Sequence, residues 1–105
     1  MTAPYAKADS GTWIEARGLV IRLLSDDAEP ERHQRFVIDA GGGHTLLVLH
    51  NLDLAPRVPA GLGDRVRVRG LYEWNERGGL VHWTHRDPME NEGGGFIRHR
   101  RQTYR

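Results

Sequence analysis

The 105 residues of this chain suffice for one domain with a modest core, and the composition excludes several classes of protein. Fifteen lysines and arginines nearly balance fourteen aspartates and glutamates, so the overall charge does not require a polyanionic partner. Without cysteine, the chain can be neither a disulfide-stapled scaffold nor a thiol enzyme. No apolar run is long enough to span a membrane, and residues 1–10 lack a signal peptide's apolar segment, so we expect a cytoplasmic protein without a membrane partner.

The apolar residues of the first half follow the pattern of β-strands. The run from Trp13 to Leu24 is rich in β-forming residues, and Gly18 at its centre predicts a bend or bulge. A second strand is predicted around Phe36–Ile38. The glycines at 41–43 join it to a third strand, Thr45–His50, in a hairpin.

The pattern breaks after His50 and resumes at residue 65. In the crossing between the third and fourth strands, Pro56 and Pro59 leave room for at most one helical turn. Strict alternation in Arg65–Trp74 places Val66 and Val68 inside and the arginines outside. A tight reversal then leads to a fifth strand, Leu80–His85, and the glycines at 93–95 end the regular structure.

These elements predict an all-β fold, a small five-stranded OB-fold-like Greek-key barrel with an irregular C-terminal tail. An SH3-like small barrel is the alternative. The predicted organisation is a flexible N-terminus at 1–11, the β-barrel at 12–97 and a basic C-terminal tail at 98–105. The arginines of that tail could contact phosphates, although a solvated terminus is the simpler interpretation.

Several sequence blocks resemble one known family. They are His33–Phe36, His50–Arg57, Tyr72–Asn75, Gly78–Gly79, His82–His85 and Asp87–Pro88. In this order, between Trp13 and Tyr104, they are similar to the bacterial family known as domain of unknown function 3465. The resemblance implies a small, OB-like bacterial domain, with no activity to carry over. Members of that family often look exported, whereas this chain shows no leader.

Histidines and aspartates of these blocks are the candidates for catalysis, because histidine titrates near neutrality and ligates metals. They are His33, His50, Asp53, His82, His85 and Asp87. Alternation in the fifth strand places His82 and Thr84 on one face and Trp83 and His85 on the other. No pair has a metal-ligand spacing, so we expect neither a metal nor a cofactor.

A purely structural role is the alternative for the same residues. His50, Asn51 and Asp53 could hold the irregular crossing by bonding to backbone amides. Arg57 could pair with Asp87 or Glu73. Trp74 and Trp83 could pack against each other on neighbouring strands.

Arginines and aromatic residues are the candidates for ligand binding. The set comprises Arg35, Arg57, Arg65, Arg67, Arg69, Tyr72, Trp74 and Trp83. Aromatic rings beside arginines on an open β face are how OB domains bind single strands, with bases on the rings and phosphates on the guanidinium groups. A solvated outer face is the equal alternative for Arg65, Arg67 and Arg69.

The leading functional hypothesis is a non-enzymatic OB-fold module that binds an anionic ligand, single-stranded nucleic acid or an oligonucleotide. The first alternative is a nuclease-like hydrolase that uses the His/Asp cluster, with or without a metal ion. The second is a protein-interaction domain in which these residues only brace the barrel. The sequence leaves the oligomeric state open.

Overall fold

The computed structural model describes residues 6–27, 32–86 and 94–105. A short 3-10 turn, Lys7–Asp9, is followed in these ranges by strands only. The strands are β1 (Trp13–Asp27), β2 (His33–Asp39), β3 (Thr45–Asn51), β4 (Arg65–Glu73), β5 (Leu80–His82), β6 (Phe96–His99) and β7 (Gln102–Tyr104). The prediction of an all-β domain is confirmed. Within the same ranges, no helix is long and apolar enough to cross a membrane.

Five strands pair in a ring, in the order β1-β2-β3-β5-β4 and back to β1. β1 closes the ring because its first half pairs with β4 and its second half with β2. At Gly18, between the two halves, a Cβ atom would lie 2.3 Å from the backbone oxygen of Asp39. Gly18 therefore permits the close approach of β1 and β2, and a bulge follows between Val20 and Arg22.

The hydrophobic core fills the inside of this ring. Val66 and Val68 are buried as predicted, and the arginines that alternate with them face outward. The other main members of the core are Ala16, Val20, Phe36, Ile38, Leu46, Val48, Val58, Tyr72, Val81 and Ile97. The outer face of the sheet is thereby left to the odd-numbered residues of β4 and, before the bulge in β1, to Trp13, Glu15, Arg17 and Leu19.

The segment between β3 and β4 contains no helix, and two buried polar side chains hold it in place. The Gln34 amide donates to the Val58 carbonyl at 2.7 Å and accepts from the Val58 N–H at 2.8 Å. The His50 ring bonds to the Pro56 carbonyl at 2.9 Å. These contacts satisfy backbone groups that the irregular crossing leaves without strand partners.

The C-terminal residues differ from the irregular tail of the prediction. β6 pairs with both β4 and β7, so residues 96–104 form a hairpin on the sheet. Its two-residue turn consists of Arg100 and Arg101, with φ of 49° and 69°. Hairpin turns with positive φ at both positions favour Asn-Gly, and the absence of that signal explains the different expectation.

The fifth strand is shorter than predicted and ends at His82. Trp83 has a φ of 56°, which breaks the alternation of side chains. The expected pairing of His82 with Thr84 on one face does not occur. Thr84 and His85 are both buried, whereas Trp83 is exposed.

Candidate anion-binding cleft

Three arginines stand side by side on the outer face of the sheet. Arg17 of β1 is directly opposite Arg67 of β4, and Arg67 is directly opposite Arg98 of β6. Opposed residues on neighbouring antiparallel strands have Cβ atoms about 5 Å apart, and like charges there are destabilising. A bound anion would relieve this repulsion.

The row forms the floor of a cleft of about 670 Å³, within the usual range for ligand pockets. Its lining includes six arginines and one carboxylate, that of Asp39. The full lining is Arg17, Gly18, Leu19, Asp39, Ala40, Gly41, Gly42, Arg65, Val66, Arg67, Arg98, Arg100 and Arg101. The β2–β3 hairpin loop and the β6–β7 turn thus form its rims.

Carboxylates of the described residues pair with two of the six lining arginines, Arg67 and Arg100, and leave the other four without an ion pair. Arg67 Nε lies 3.6 Å from a Glu15 oxygen and is buried without a hydrogen bond. Arg98 donates to the Thr103 hydroxyl at 3.2 Å, which leaves its charge uncompensated. Three further lining arginines make no hydrogen bond or ion pair among the described residues. They are Arg17, Arg65 and Arg101.

Asp64 fixes the rim that carries the β6–β7 turn. Its carboxylate accepts from the Gly61 N–H at 2.9 Å and from His99 Nε2 at 2.8 Å, and it pairs with Arg100 at 3.3 Å. The Gly61 N–H, with smaller effects of His99 and Arg100, lowers the pKa of Asp64 to about 2. Asp64 is therefore ionised at neutral pH and anchors the turn beside the cleft.

The three predicted arginines of β4, Arg65, Arg67 and Arg69, lie in two different environments. Arg65 and Arg67 line the cleft. Arg69 does not: its Nε donates to the Gly94 carbonyl at 3.2 Å, and its guanidinium lies 5.1 Å from the centre of the Trp13 ring. The other two predicted arginines lie outside the lining and are engaged elsewhere, Arg35 with the Ser25 carbonyl and Arg57 with Asp26.

The Arg57 pair differs from the expected partners. Arg57 bonds to Asp26, and this hydrogen bond is the main cause of the lowered pKa of the Asp26 carboxyl. Glu73 instead lies 3.3 Å from His82 Nε2. Asp87 lies outside the described residues.

The three aromatic residues predicted to bind the ligand also lie in different surroundings. Tyr72 is fully buried in the core, and its hydroxyl donates to the Gly78 carbonyl at 3.3 Å. Trp74 lies beneath the Lys7 ammonium, 4.9 Å from the ring centre. Trp83 packs against Trp13 rather than against Trp74.

His50 is completely buried and serves the packing of the domain. A carbonyl only accepts, so His50 Nε2 donates to Pro56, and Nδ1 of the neutral ring accepts from the Thr84 hydroxyl at 2.7 Å. Burial, together with the nearby charge of His85, lowers the pKa of His50 to about 4. A neutral, enclosed ring of this kind links the irregular crossing to Thr84.

The remaining catalytic candidates do not lie in the cleft. His85 is buried beneath Trp83, and His33 is half-buried on β2 opposite Asn51. Asp53 is exposed in the crossing, where it accepts weakly from the Arg32 N–H at 3.4 Å. In the described part of the chain, no group of three or more His, Cys, Asp or Glu is placed to hold a metal ion.

The ligand-binding candidates from the sequence include only two of the six lining arginines, Arg65 and Arg67. Arg17 was not selected, although alternation along β1 places it outside with Trp13, Glu15 and Leu19. The register that sets Arg17 against Arg67 joins residues 50 positions apart and cannot be read from local periodicity. Arg98, Arg100 and Arg101 belong to the predicted basic tail, for which phosphate contact is the less simple of the two interpretations.

Fold and site together define an all-β domain with an arginine-lined cleft on its outer face. The chain belongs to the family described as "Protein of unknown function (DUF3465)", whose pattern matches residues 1–105. The resemblance seen in the sequence is thereby confirmed. No curated protein and no solved structure matches the chain.

Proposed function

We propose that this domain is a non-catalytic binding module for an anionic ligand, single-stranded nucleic acid or an oligonucleotide, whose phosphates occupy the arginine cleft. The row of Arg17, Arg67 and Arg98 carries the proposal. Three like charges in register are unfavourable for an empty domain and favourable for one that binds a polyanion. Guanidinium groups also match phosphate geometry through paired hydrogen bonds.

The β6–β7 turn supports the same ligand class. Arg100 and Arg101 occupy positive-φ positions that Asn and Gly adopt at lower cost. Backbone strain of this kind costs about 1–3 kcal/mol per residue and concentrates at binding sites. The turn thus places two cationic side chains at the cleft where a more stable sequence would place none.

The proposal includes an OB-type barrel for the ring of five strands. Its strand order, with β3 parallel to β5 and β1 shared between β2 and β4, is consistent with the five-stranded Greek-key plan. OB barrels bind oligonucleotides mainly on the face of their second and third strands. The cleft lies instead on β1, β4 and β6, so the arginines, rather than the fold, support the choice of ligand.

Salt-dependent binding of a labelled oligothymidylate tests the proposal. We expect the logarithm of the binding constant to fall linearly with the logarithm of salt concentration, by about 0.7 per phosphate contact for a single strand. Arg17→Gln and Arg98→Gln should each weaken binding and lower this slope by about one phosphate contact.

Arg22→Gln is the matched control. Arg22 lies on the same strand as Arg17, is exposed and is outside the cleft, so its loss removes an identical charge. Equal effects of Arg17→Gln and Arg22→Gln would show nonspecific attraction only. That result, or the absence of binding at low salt, would contradict the proposal.

A further inference from the structure

A pair of exposed tryptophans lies on the molecule apart from the cleft. Trp13 and Trp83 are 36% and 39% exposed, and their rings meet edge to face with centroids 6.3 Å apart. Such large apolar rings would gain free energy from burial, yet here both keep an accessible surface. They form what we call the tryptophan pair.

Charged and aromatic neighbours hold the tryptophan pair in place. The Arg69 guanidinium lies 5.1 Å from the centre of the Trp13 ring, a cation–π contact. His85 lies under Trp83, with ring centroids 5.2 Å apart and planes tilted by 34°. The rings are thus supported from behind, which reduces the entropy that a ligand must overcome on stacking.

The backbone at Trp83 is strained in a way that core packing does not require. A φ of 56° is unusual for a bulky residue, and glycine adopts it at much lower cost. Strain retained by an exposed aromatic residue is typical of ligand-binding positions. The conformation ends β5 and places the Trp83 ring beside Trp13 of β1.

The tryptophan pair and the arginine row share one outer face. Trp13 precedes Arg17 by four residues on β1, on the same side of the strand. At about 3.3 Å per residue, the two lie about 13 Å apart. Between them, Glu15 opposes Arg69 in the ladder. A ligand that reaches both sites therefore needs planar groups at one end and negative charge at the other.

We propose that the tryptophan pair is a stacking subsite for nucleobases of the strand whose phosphates occupy the arginine cleft. This inference rests on the proposed function and deepens it, because it requires a base-bearing ligand longer than a mononucleotide. Nucleobases stack on exposed aromatic rings without regard to sequence. Polyanions without bases occupy only the arginine cleft and leave the tryptophan pair empty.

The test compares two ligands of equal charge, an oligothymidylate of about 8 nucleotides and an abasic oligomer of the same length. Trp74→Phe serves as the parent protein, because its tryptophan emission then comes from the tryptophan pair alone. We expect the oligothymidylate to bind about tenfold more tightly than the abasic oligomer and to quench the emission. A mononucleotide should leave the emission unchanged.

Trp83→Gly removes one ring and relieves the strained φ, but it also loses the packing of that ring on Trp13 and His85, so urea unfolding first establishes that the variant is folded. It should lose the preference for bases but keep the affinity for the abasic oligomer. Trp13→Ala provides a second variant. Trp74→Ala, made in the otherwise unchanged chain, removes a tryptophan that is 37% exposed elsewhere and should keep the preference.

The outcomes separate the two proposals. Equal affinity for both ligands, without quenching, would overturn the stacking subsite and leave the arginine cleft standing. A preference for bases that survives in Trp83→Gly and Trp13→Ala would also overturn it. If neither oligomer binds at low salt, both proposals are wrong.

Discussion

Arg17 and Arg67 face each other directly across the β1–β4 ladder, two like charges at the position where antiparallel strands normally place complementary side chains. Glu15 lies near Arg67 but at 3.6 Å from its Nε, and among the described residues no carboxylate pairs with Arg17. The domain therefore gives up stability at this point. An anion bound between the two guanidinium groups would restore it.

Removing one of these charges should stabilise the free protein. We expect Arg17→Gln to raise the free energy of unfolding by about 0.5 kcal/mol at low ionic strength, because it ends the repulsion with Arg67. The gain should shrink in high salt, which screens exposed charges. Urea unfolding at two salt concentrations measures both effects. Arg22→Gln should change stability less, and a loss of stability in Arg17→Gln would contradict the account.

In the β6–β7 turn, too, we expect a substitution that raises the free energy of unfolding to lower the affinity for the ligand. Replacing Arg100 and Arg101 together by Asn and Gly should raise the free energy of unfolding by about 1–2 kcal/mol, since both residues tolerate positive φ. The exposed contact of Arg100 with Asp64 contributes little against this gain. Oligonucleotide affinity should fall in the same variant. Unchanged affinity would remove the turn from the binding site.

The same turn shows where sequence reasoning reached its limit. Alternation of Val66 and Val68 with arginines predicted the inward and outward faces of β4, because a two-residue period needs only local information. The β6–β7 hairpin was missed because its turn lacks the Asn-Gly signal. A turn formed by arginines with positive φ lacks the favourable residues by which a sequence pattern identifies turns.

The position of Trp83 illustrates a second limit. The strand pattern of residues 80–85 predicted continued alternation, but the positive φ at Trp83 ends β5 three residues earlier. The predicted partner, Trp74, was the nearest tryptophan on the neighbouring strand. Its observed partner, Trp13, is brought near by the pairing of β1 with β4, which depends on the closure of the whole ring.

Acid should destabilise the domain through His50. Its pKa lies near 6.5 in the unfolded chain and at about 4 in the folded one, so the unfolded state binds more protons between these values. The contribution of neutral His50 to the free energy of unfolding should be complete above pH 6.5. The free energy of unfolding should then fall by up to about 3 kcal/mol as the pH drops through 4. Protonation would also make Nδ1 a donor and turn the Thr84 hydroxyl towards the Leu49 carbonyl, 3.1 Å away.

Denaturant unfolding across this pH range, compared with His50→Gln, isolates the contribution of His50. The glutamine amide does not titrate, so the variant should be less stable at neutral pH but lose less stability on acidification. Parallel curves for the two proteins would show that His50 does not control the acid response.

Gly79 should be intolerant of a side chain. A Cβ atom there would lie 2.4 Å from the Tyr72 ring, and the residue has a φ of 101°. We expect Gly79→Ala to lower the free energy of unfolding by about 3 kcal/mol, from strain and overpacking together. Gly41→Ala is the control, because φ is 113° but no atom lies within 4 Å of the added Cβ. Equal losses in both would contradict a specific role of the Tyr72 contact.

An NMR titration that follows the arginine side-chain Nε–H signals tests the arginine cleft most directly. On adding oligothymidylate at low salt, the account predicts shifts for Arg17, Arg65, Arg67 and Arg98, with the signals of Arg35 and Arg57 unchanged because these lie outside the cleft. Shifts confined to Arg35 and Arg57, or equal small shifts for all arginines, would contradict the assignment of the cleft as the binding site.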